Sequence, residues 1–321
     1  MVEPVIRSAT LDDAELAADL MTAAYPPEPQ DPLVTRYRWA HPRDGWSFGR
    51  FIAEVEGHAI AHLWSAHGPW EQVPERHCDI GADVVESRQS DEVLDLAWKW
   101  IAEYAAADGA CIINGYAAED EPEVLKTLGR LGYERDRSEK VWELDLEKHG
   151  MRLLAEAKAA RHKMKSEGID LMPLADWPGP DTLKGLHALD EATVRDVPTS
   201  HPILPQSFAN FLDRMSGPDL PHDRLWLARH GGRPIAMSFL RFPPVRGHVR
   251  TGYTCSHPGY QGRGIARAVK LQSLAQAIEL GVQFVRTDND SENAPMLHIN
   301  ETLGYDPRPG IATFVKRVSS P

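Results

Sequence analysis

A chain of 321 residues is longer than one ordinary hydrophobic core needs, and its length predicts two domains. Hydrophobic residues make up 42% of the chain and charged residues 26%, as in globular proteins, and no apolar run approaches the roughly 20 residues of a membrane helix. We therefore expect no membrane partner. The formal net charge of −12 argues against a nucleic-acid partner, because phosphates demand a basic surface, and weakly favours cationic partners.

The amino-terminal residues lack a basic segment followed by an apolar one, so we expect no secretory signal. Three cysteines, Cys78, Cys111 and Cys255, lie far apart and are odd in number. They predict neither a disulfide framework nor a Cys-x-x-Cys metal site. A cytoplasmic location without a bound metal is the expectation.

Strand and helix patterns alternate along the first half. Residues 5–9 predict a strand, and Thr10 opens a capping box before a helical pattern. Residues 51–55 and 59–64 predict the two strands of a hairpin, because their apolar residues alternate on either side of a turn. A helix over 94–106 and a buried strand over 111–113 follow.

The second half of the sequence repeats the order of the first. Residues 53–61 (AEVEGHAIA) are similar to residues 228–236 (ARHGGRPIA), 175 positions later (228 minus 53). The tripeptide Leu-Gly-Tyr at 131–133 returns at 303–305, 172 positions later (303 minus 131). Because the two separations nearly agree, we predict two copies of one fold.

A helical connector is predicted between the copies. Residues 142–146 are typical of a last strand, and residues 151–166 of a helix that ends before Gly168. The expected organisation is a first domain over 1–148, a helical linker over 149–168 and a second domain over 169–321.

Two proline-rich stretches without periodicity, residues 25–49 and 194–224, occupy equivalent places in the two copies. Long irregular loops in compact domains are often lids or binding loops. Their side chains either shape an acceptor pocket or simply pack the loops against the protein. The residues in question are Trp39, Trp46, His201 and Phe208.

A glycine-rich turn is the strongest chemical signal. A strand predicted over 248–256 leads to the hexapeptide Gln-Gly-Arg-Gly-Ile-Ala at 261–266 and then to a helix that stops at Gly281. Glycines allow close approach to the backbone, and the amides and dipole of a helix amino terminus favour an anion. The turn is not a nucleotide-binding P-loop, because no Gly-Lys-Ser/Thr follows it.

The turn resembles the Gln/Arg-x-x-Gly-x-Gly/Ala motif of the GCN5-related N-acetyltransferase (GNAT) superfamily. A second stretch, Thr287 to Asn289 and then Asn293 to Tyr305, is similar to the family's second signature, an asparagine followed by Leu-Gly-Phe/Tyr. The resemblance implies an α/β (α+β) fold of two tandem GNAT domains, each a mixed, mainly antiparallel sheet flanked by helices. It also implies acetyl-coenzyme A as co-substrate.

The same resemblance implies a set of cofactor-binding residues. The backbone amides from Gly262 to Ala266 would hold the pyrophosphate, and the strand at 254–256 would pair with the pantetheine arm. Asn293 would contact the cofactor near the thioester, and a helix N-cap is its alternative or additional role. The full set is Thr254, Cys255, Ser256, Gln261, Gly262, Arg263, Gly264, Ile265, Ala266, Asn289 and Asn293.

Catalytic residues are less evident. Counting back from the turn sets His248 where the histone-modifying relatives carry a carboxylate base, although a surface histidine is the alternative. Many relatives have a proton-donating tyrosine where this chain has Asn300, which cannot act as an acid. Tyr260, His298 or water are the possible substitutes. Cys255 is either a nucleophile or a packed structural cysteine.

The first copy lacks the glycine turn. Aligning the copies puts Asp91 or Glu92 where the second copy has Gly264. A carboxylate near phosphates is repulsive, so we expect only the second domain to bind the cofactor. The arrangement resembles that of mycothiol synthase and related actinobacterial acetyltransferases.

The expected activity is transfer of acetyl to the amine of a small molecule by direct attack. An N-acetyltransferase for proteins or peptides is the alternative enzyme, and a non-catalytic acetyl-coenzyme-A sensor or drug-binding protein is the alternative outside catalysis. No nucleic-acid partner is expected, and the protein would be a monomer or homodimer.

Overall fold

The computed structural model describes residues 4–194, 197–199 and 203–318. In this part of the chain, helices pack on the two faces of one 12-stranded sheet, which is the predicted mixed α/β (α+β) class. The helices are α1 (Ala14–Ala24), α2 (Pro32–Ala40), α3 (Asp91–Ala107), α4 (Pro122–Arg130), α5 (Leu146–Ser166), α6 (Pro180–Thr193), α7 (Phe208–Met215), α8 (Ile265–Glu279) and α9 (Ala294–Leu303). The strands are β1 (Val5–Ser8), β2 (Ser47–Val55), β3 (His58–His67), β4 (His77–Val84), β5 (Ile112–Ala118), β6 (Glu134–Asp145), β7 (Asp170–Pro173), β8 (Leu225–His230), β9 (Arg233–Arg241), β10 (Arg250–Ser256), β11 (Phe284–Asp290) and β12 (Asp306–Arg317).

The strand order is β1-β2-β3-β4-β5-β12-β6-β11-β10-β9-β8-β7. Parallel pairing occurs between β4 and β5 and between β10 and β11, and the other neighbours are antiparallel. Each half of the sheet is thus mixed and mainly antiparallel, as predicted. None of the helices in the described part of the chain is both long and apolar enough to cross a membrane.

The two halves exchange their last strands. β12, from the end of the chain, pairs with β5 from Ile311↔Ala118 to Arg317↔Ile112. β6, from the first half, pairs with β11 from Phe284↔Asp145 to Asp290↔Glu139, and β6 and β12 pair with each other at the centre. Nothing in the sequence indicated this exchange. The predicted domain limits stay a prediction, and the two halves of the sheet do not follow them.

The exchange carries side chains into both cores. Ala312 and Phe314 of β12 are buried among the apolar residues of the first half. Leu144 of β6 is buried with Leu271 and Leu274 of α8 in the second half. Apolar burial of this kind is the main favourable contribution to folding, so the two halves stabilise each other.

Local sequence signals are confirmed where they depend on neighbours in the chain. β2 and β3 form the predicted hairpin, and the Thr10 capping box precedes α1. The expectation that 25–49 and 194–224 are irregular was wrong, because each contains a helix. The Asp31 side chain accepts hydrogen bonds from two amides at the start of α2, and Ser207 caps α7 in the same way. His201 lies outside the described residues.

Candidate active site

The glycine turn between β10 and α8 has the conformation that its sequence predicts. Gly262 and Gly264 have φ angles of 74° and 76°, the left-handed region that side chains other than glycine rarely adopt. A Cβ atom added to either glycine would meet nothing within 4 Å. Gln261, Gly262, Arg263 and Gly264 are all exposed. A ligand can therefore approach the backbone from solvent.

The amides of this turn are available for an anion. The first backbone hydrogen bond of α8 runs from Ala268 to Gly264, at 3.0 Å. Within the described residues, no acceptor pairs with the amide nitrogens from Gly262 to Ala266. Five consecutive amides at a helix amino terminus form a strong anion site.

Charges beside the turn are already paired. Arg263 binds Glu167 of the linker region at 2.8 Å, and its guanidinium lies 5.6 Å from the centre of the Tyr260 ring. Arg267 binds Glu156 of α5 at 2.6 Å. A phosphate that binds at the turn would therefore contact the backbone amides first. Arg263 and Arg267 could then exchange their carboxylate partners for the phosphate.

β10 and β11 separate from each other toward the end of β10 that leads into the glycine turn. They pair with each other at Arg250↔Arg286, whereas β10 pairs with β9 as far as Ser256 and β11 pairs with β6 as far as Asp290. A register shift in β10 between Thr251 and Tyr253 accompanies the divergence. The inner backbone edge of β10 is left open for an extended group to pair with it.

Side chains of β10 alternate between the two faces of the sheet. The Thr254 hydroxyl lies 2.8 Å from that of Ser238. Cys255 is buried among apolar residues, and this burial raises the pKa of its thiol to about 12. A thiol that stays protonated is a poor nucleophile, which favours the structural interpretation of Cys255.

Asn289 belongs to a buried row of hydrogen-bonded polar side chains. Its side-chain oxygen accepts a hydrogen bond from Asn300 at 2.7 Å, and the oxygen of Asn300 accepts one from the Lys270 ammonium at 2.8 Å. Lys270 and Asn300 are both fully buried. This burial lowers the pKa of Lys270 to about 7. The sequence signal for these hydrogen bonds was a lysine between Val269 and Leu271 in the apolar pattern of α8, and we did not use it.

Asn293 is the N-cap of α9, and its side chain accepts a hydrogen bond from the Met296 amide at 3.4 Å. Among the possible proton donors, His298 is exposed on α9, and the Tyr260 hydroxyl is held by His230 at 3.0 Å. The N-cap role of Asn293 is confirmed, and its contact with a cofactor stays a prediction.

His248 precedes β10 at the contact between the two halves. Its Nε2 atom lies 2.9 Å from the carbonyl oxygen of Pro27. Two further contacts tie this loop to the first half: the Asp31 carboxylate accepts hydrogen bonds from the amides of Val245 at 2.6 Å and Arg246 at 3.0 Å. His248 does not line the cavity described next.

A cavity of about 370 Å³ lies where the two halves meet. We call it the seam cavity. It lies between α2 of the first half and α6 and α7 of the second, and the side chain of Tyr253 from β10 reaches its wall. The Tyr253 hydroxyl lies 3.1 Å from that of Thr193, and burial raises the pKa of Tyr253. We missed Tyr253 because its role depends on which face of β10 meets the cavity.

The equivalent turn of the first half is closed. Ser90 caps α3 by accepting a hydrogen bond from the Val93 amide, and Asp91 pairs with Lys126 and Arg130. β4 and β5 pair from His77↔Ile112 to Ile80↔Gly115, a longer contact than that between β10 and β11. In the first half, the amino terminus of α3 is thus already capped by a side chain. The opening between β4 and β5 is narrower than the opening between β10 and β11.

Comparison with known proteins agrees with this geometry. Residues 187–305 match the family described as the acetyltransferase (GNAT) family. No curated protein matches the chain by sequence.

Solved structures are similar over nearly the whole chain. A tandem GNAT protein from the clavulanic acid biosynthesis pathway is 17% identical, with a TM-score of 0.77 and coverage of 98% of both chains. A GCN5-related N-acetyltransferase from Sphaerobacter thermophilus is 16% identical, with a TM-score of 0.66 and coverage of 98% of this chain and 95% of its own. One from Kribbella flavida is 12% identical, with a TM-score of 0.55 and coverage of 95% and 96%. The chain therefore has the tandem GNAT fold, and residues 187–305 within it match the acetyltransferase (GNAT) family.

Proposed function

We propose that this protein is an acetyl-coenzyme-A-dependent N-acetyltransferase that acts on the amine of a small molecule. The observation that carries the proposal is the exposed glycine turn, whose five amides lack acceptors among the described residues and stand beside the opening between β10 and β11. The family match supports an acyltransferase.

The residues present fit the coenzyme. The amides from Gly262 to Ala266 would hold its pyrophosphate, with Gln261 and Arg263 beside them. The β10 edge at Thr254, Cys255 and Ser256 would pair with its pantetheine arm, and Asn289, on β11, and Asn293, just after it, would bind the coenzyme from the other side of the opening. When bound, the coenzyme supplies an acetyl thioester.

Acetyl transfer to an amine requires that the amine lose a proton and that the departing sulfur of the coenzyme gain one. A protonated amine of pKa about 10.4 cannot attack a carbonyl, so a base or a dry pocket must favour the neutral form. His248 as this base stays a prediction. For the departing sulfur, we propose Tyr253 as the proton donor, because it lies on the cofactor strand, faces the seam cavity and keeps its proton at neutral pH.

The seam cavity favours a small acceptor over a protein. Its volume of about 370 Å³ is within the usual range of small-molecule sites and is shared between both halves. We infer as well that the first half does not bind the coenzyme, because Ser90 already caps the equivalent helix terminus. Cytoplasmic location and a monomeric or homodimeric state stay predictions.

The test is coenzyme binding by calorimetry, followed by thiol release with an amine panel. Gly264→Glu introduces a negative side chain at the anion site and should abolish binding of acetyl-coenzyme A. Gly281→Glu is the matched control, because Gly281 has nearly the same φ angle, 77°, and equally open surroundings at the other end of α8. Unchanged binding by the Gly264 variant would contradict the proposal. Binding without turnover on any amine would instead favour a sensor.

A further inference from the structure

The seam cavity is built from charged side chains of both halves. Arg38 and Arg43 come from the first half, and Asp190, Glu191, Asp213, Arg214, Asp219 and Arg241 come from the second. Asp190 is 2% exposed and Asp219 is 3% exposed. Buried charges are costly unless they are paired. A charged side chain of the cavity that has no partner therefore indicates the charge that a ligand would supply.

Both buried carboxylates already have cationic partners. Asp219 binds Arg241 at 2.7 Å and lies 4.0 Å from Arg38. Asp190 binds Arg214 at 2.6 Å and accepts a hydrogen bond from Gln206 at 2.5 Å. Neither carboxylate is left for a cationic ligand to neutralise by itself.

Arg43 is different. In the described part of the chain its guanidinium has no carboxylate partner, and it donates to the backbone carbonyls of Leu204 and Pro205 and stacks on the Trp46 ring at 4.7 Å. Burial, and then the neighbouring Arg214, lower the pKa of Arg43. Arg43 and Arg214 thus line the same cavity, and Asp190 interacts with both while it forms an ion pair with Arg214.

Arg214 also has an unused hydrogen-bond donor. Its Nε atom is buried and has no hydrogen-bond partner among the described residues. A buried N–H without an acceptor costs about 1–3 kcal/mol, and an anion beside it would remove that cost. Arginine pairs favour carboxylate and phosphate oxygens because several donors converge on one planar or tetrahedral group.

Tyr253, which belongs to the strand along which the thioester would lie, lines the same cavity. A ligand in the cavity can therefore contact the guanidinium groups and also approach the strand that would carry the reacting centre. The cavity volume of about 370 Å³ suits a ligand of amino-acid to dipeptide size.

From this arrangement we propose that the acceptor is a small amine that also carries an anionic group, a carboxylate or a phosphate. Arg43 and Arg214 bind the anionic group, and the amine points toward Tyr253. This inference rests on the proposed acetyl transfer only in that it takes the bound ligand to be the acceptor of the acetyl group. The binding site itself is independent of it.

The experiment measures ligand binding by calorimetry without coenzyme, and then thiol release with acetyl-coenzyme A. The probes are pairs that differ only in the anion: free amino acids with their carboxamides, and glucosamine 6-phosphate with glucosamine. At least one anionic member should bind tenfold or more tightly than its uncharged partner. The pair that shows the difference identifies carboxylate or phosphate.

Arg43→Gln should reduce this preference to less than about threefold, because the guanidinium–anion contact is lost for the anionic member of each pair alone, whereas loss of the Arg43 bonds to Leu204 and Pro205 affects both members alike. Arg36→Gln is the matched control, since Arg36 lies on α2, shortly before Arg43 in the chain, outside the cavity lining, with half of its side chain exposed, 3.8 Å from Asp12. Arg43→Lys should restore part of the preference.

Three results would overturn the inference: equal binding of both members in every pair, no binding of any probe at millimolar concentration, or an equal effect of Arg43→Gln on both members. Failure of coenzyme binding with an intact anionic preference would refute the acetyltransferase proposal and leave the site standing. Coenzyme binding and turnover of uncharged amines alone would refute the anionic acceptor and leave the enzyme standing.

Discussion

Lys270 provides a quantitative test of the buried row of hydrogen-bonded polar side chains in the second half. Its ammonium is fully buried on α8, with Asn300 as its hydrogen-bond partner at 2.8 Å. Burial lowers its pKa from 10.5 to about 7. Between these two values the unfolded chain holds a proton that the folded protein does not. The free energy of unfolding therefore rises with pH across this window, and below pH 7 the full cost of burying the charge is present.

The magnitude follows from the size of the shift. Each pKa unit corresponds to 1.36 kcal/mol, so at pH 7 the penalty is about 4 kcal/mol relative to a side chain that never ionises. Lys270→Met removes this penalty but leaves the Asn300 oxygen without its donor, at a cost of about 1–3 kcal/mol. The variant should be more stable than the parent by about 1–3 kcal/mol at pH 7. Near pH 10.5 it should be less stable, because the parent lysine is then neutral in the folded protein and already half neutral in the unfolded chain, so little of the penalty remains.

Urea unfolding followed by tryptophan fluorescence at several pH values between 7 and 10.5 measures the difference between the two proteins. Taking the difference cancels the titration of all other groups. Lys99→Met is the control, because Lys99 is exposed on α3 and lies 3.6 Å from Asp95, and its effect on stability should not depend on pH in this way. A stability difference between Lys270→Met and the parent that is constant across the window would refute the reasoning.

Three further predictions address the site and the exchanged strands. Tyr253→Phe should lower kcat by about 10²- to 10⁴-fold, the usual contribution of a positioned acid, with little change in coenzyme affinity by calorimetry; a normal kcat would remove Tyr253 from the reaction. His248→Ala should lower kcat/KM and remove a basic limb from its pH profile if His248 is the base, and an unaltered profile would exclude that role. Phe314→Ala should destabilise the protein by about 3–5 kcal/mol. Because β12 crosses into the sheet of the first half, both halves should still unfold in one calorimetric transition, and two separate transitions would contradict the exchange as a stabilising link.

Local chemistry decided what the sequence could predict. The glycine turn, the β2–β3 hairpin and the capping box before α1 each depend on residues close together in the chain, and each has the predicted conformation. The helix N-cap at Asn293 is of the same kind. The repeat at a nearly constant separation also indicated two copies of one fold, since both copies obey the same local rules.

Tertiary structure alone decided the rest. The sequence predicts a last strand of the first copy at 142–146, but no local pattern shows which half of the sheet the last strands of the two copies complete, because both copies offer the same edge. Only the packed chain shows that they change places. The seam cavity, the cation at Arg43 and the partner of Lys270 depend on residues that lie more than 25 positions apart, so no local pattern indicates them. The turn that would bind the coenzyme is thus local, whereas the pocket that would select the acceptor arises where the two halves meet.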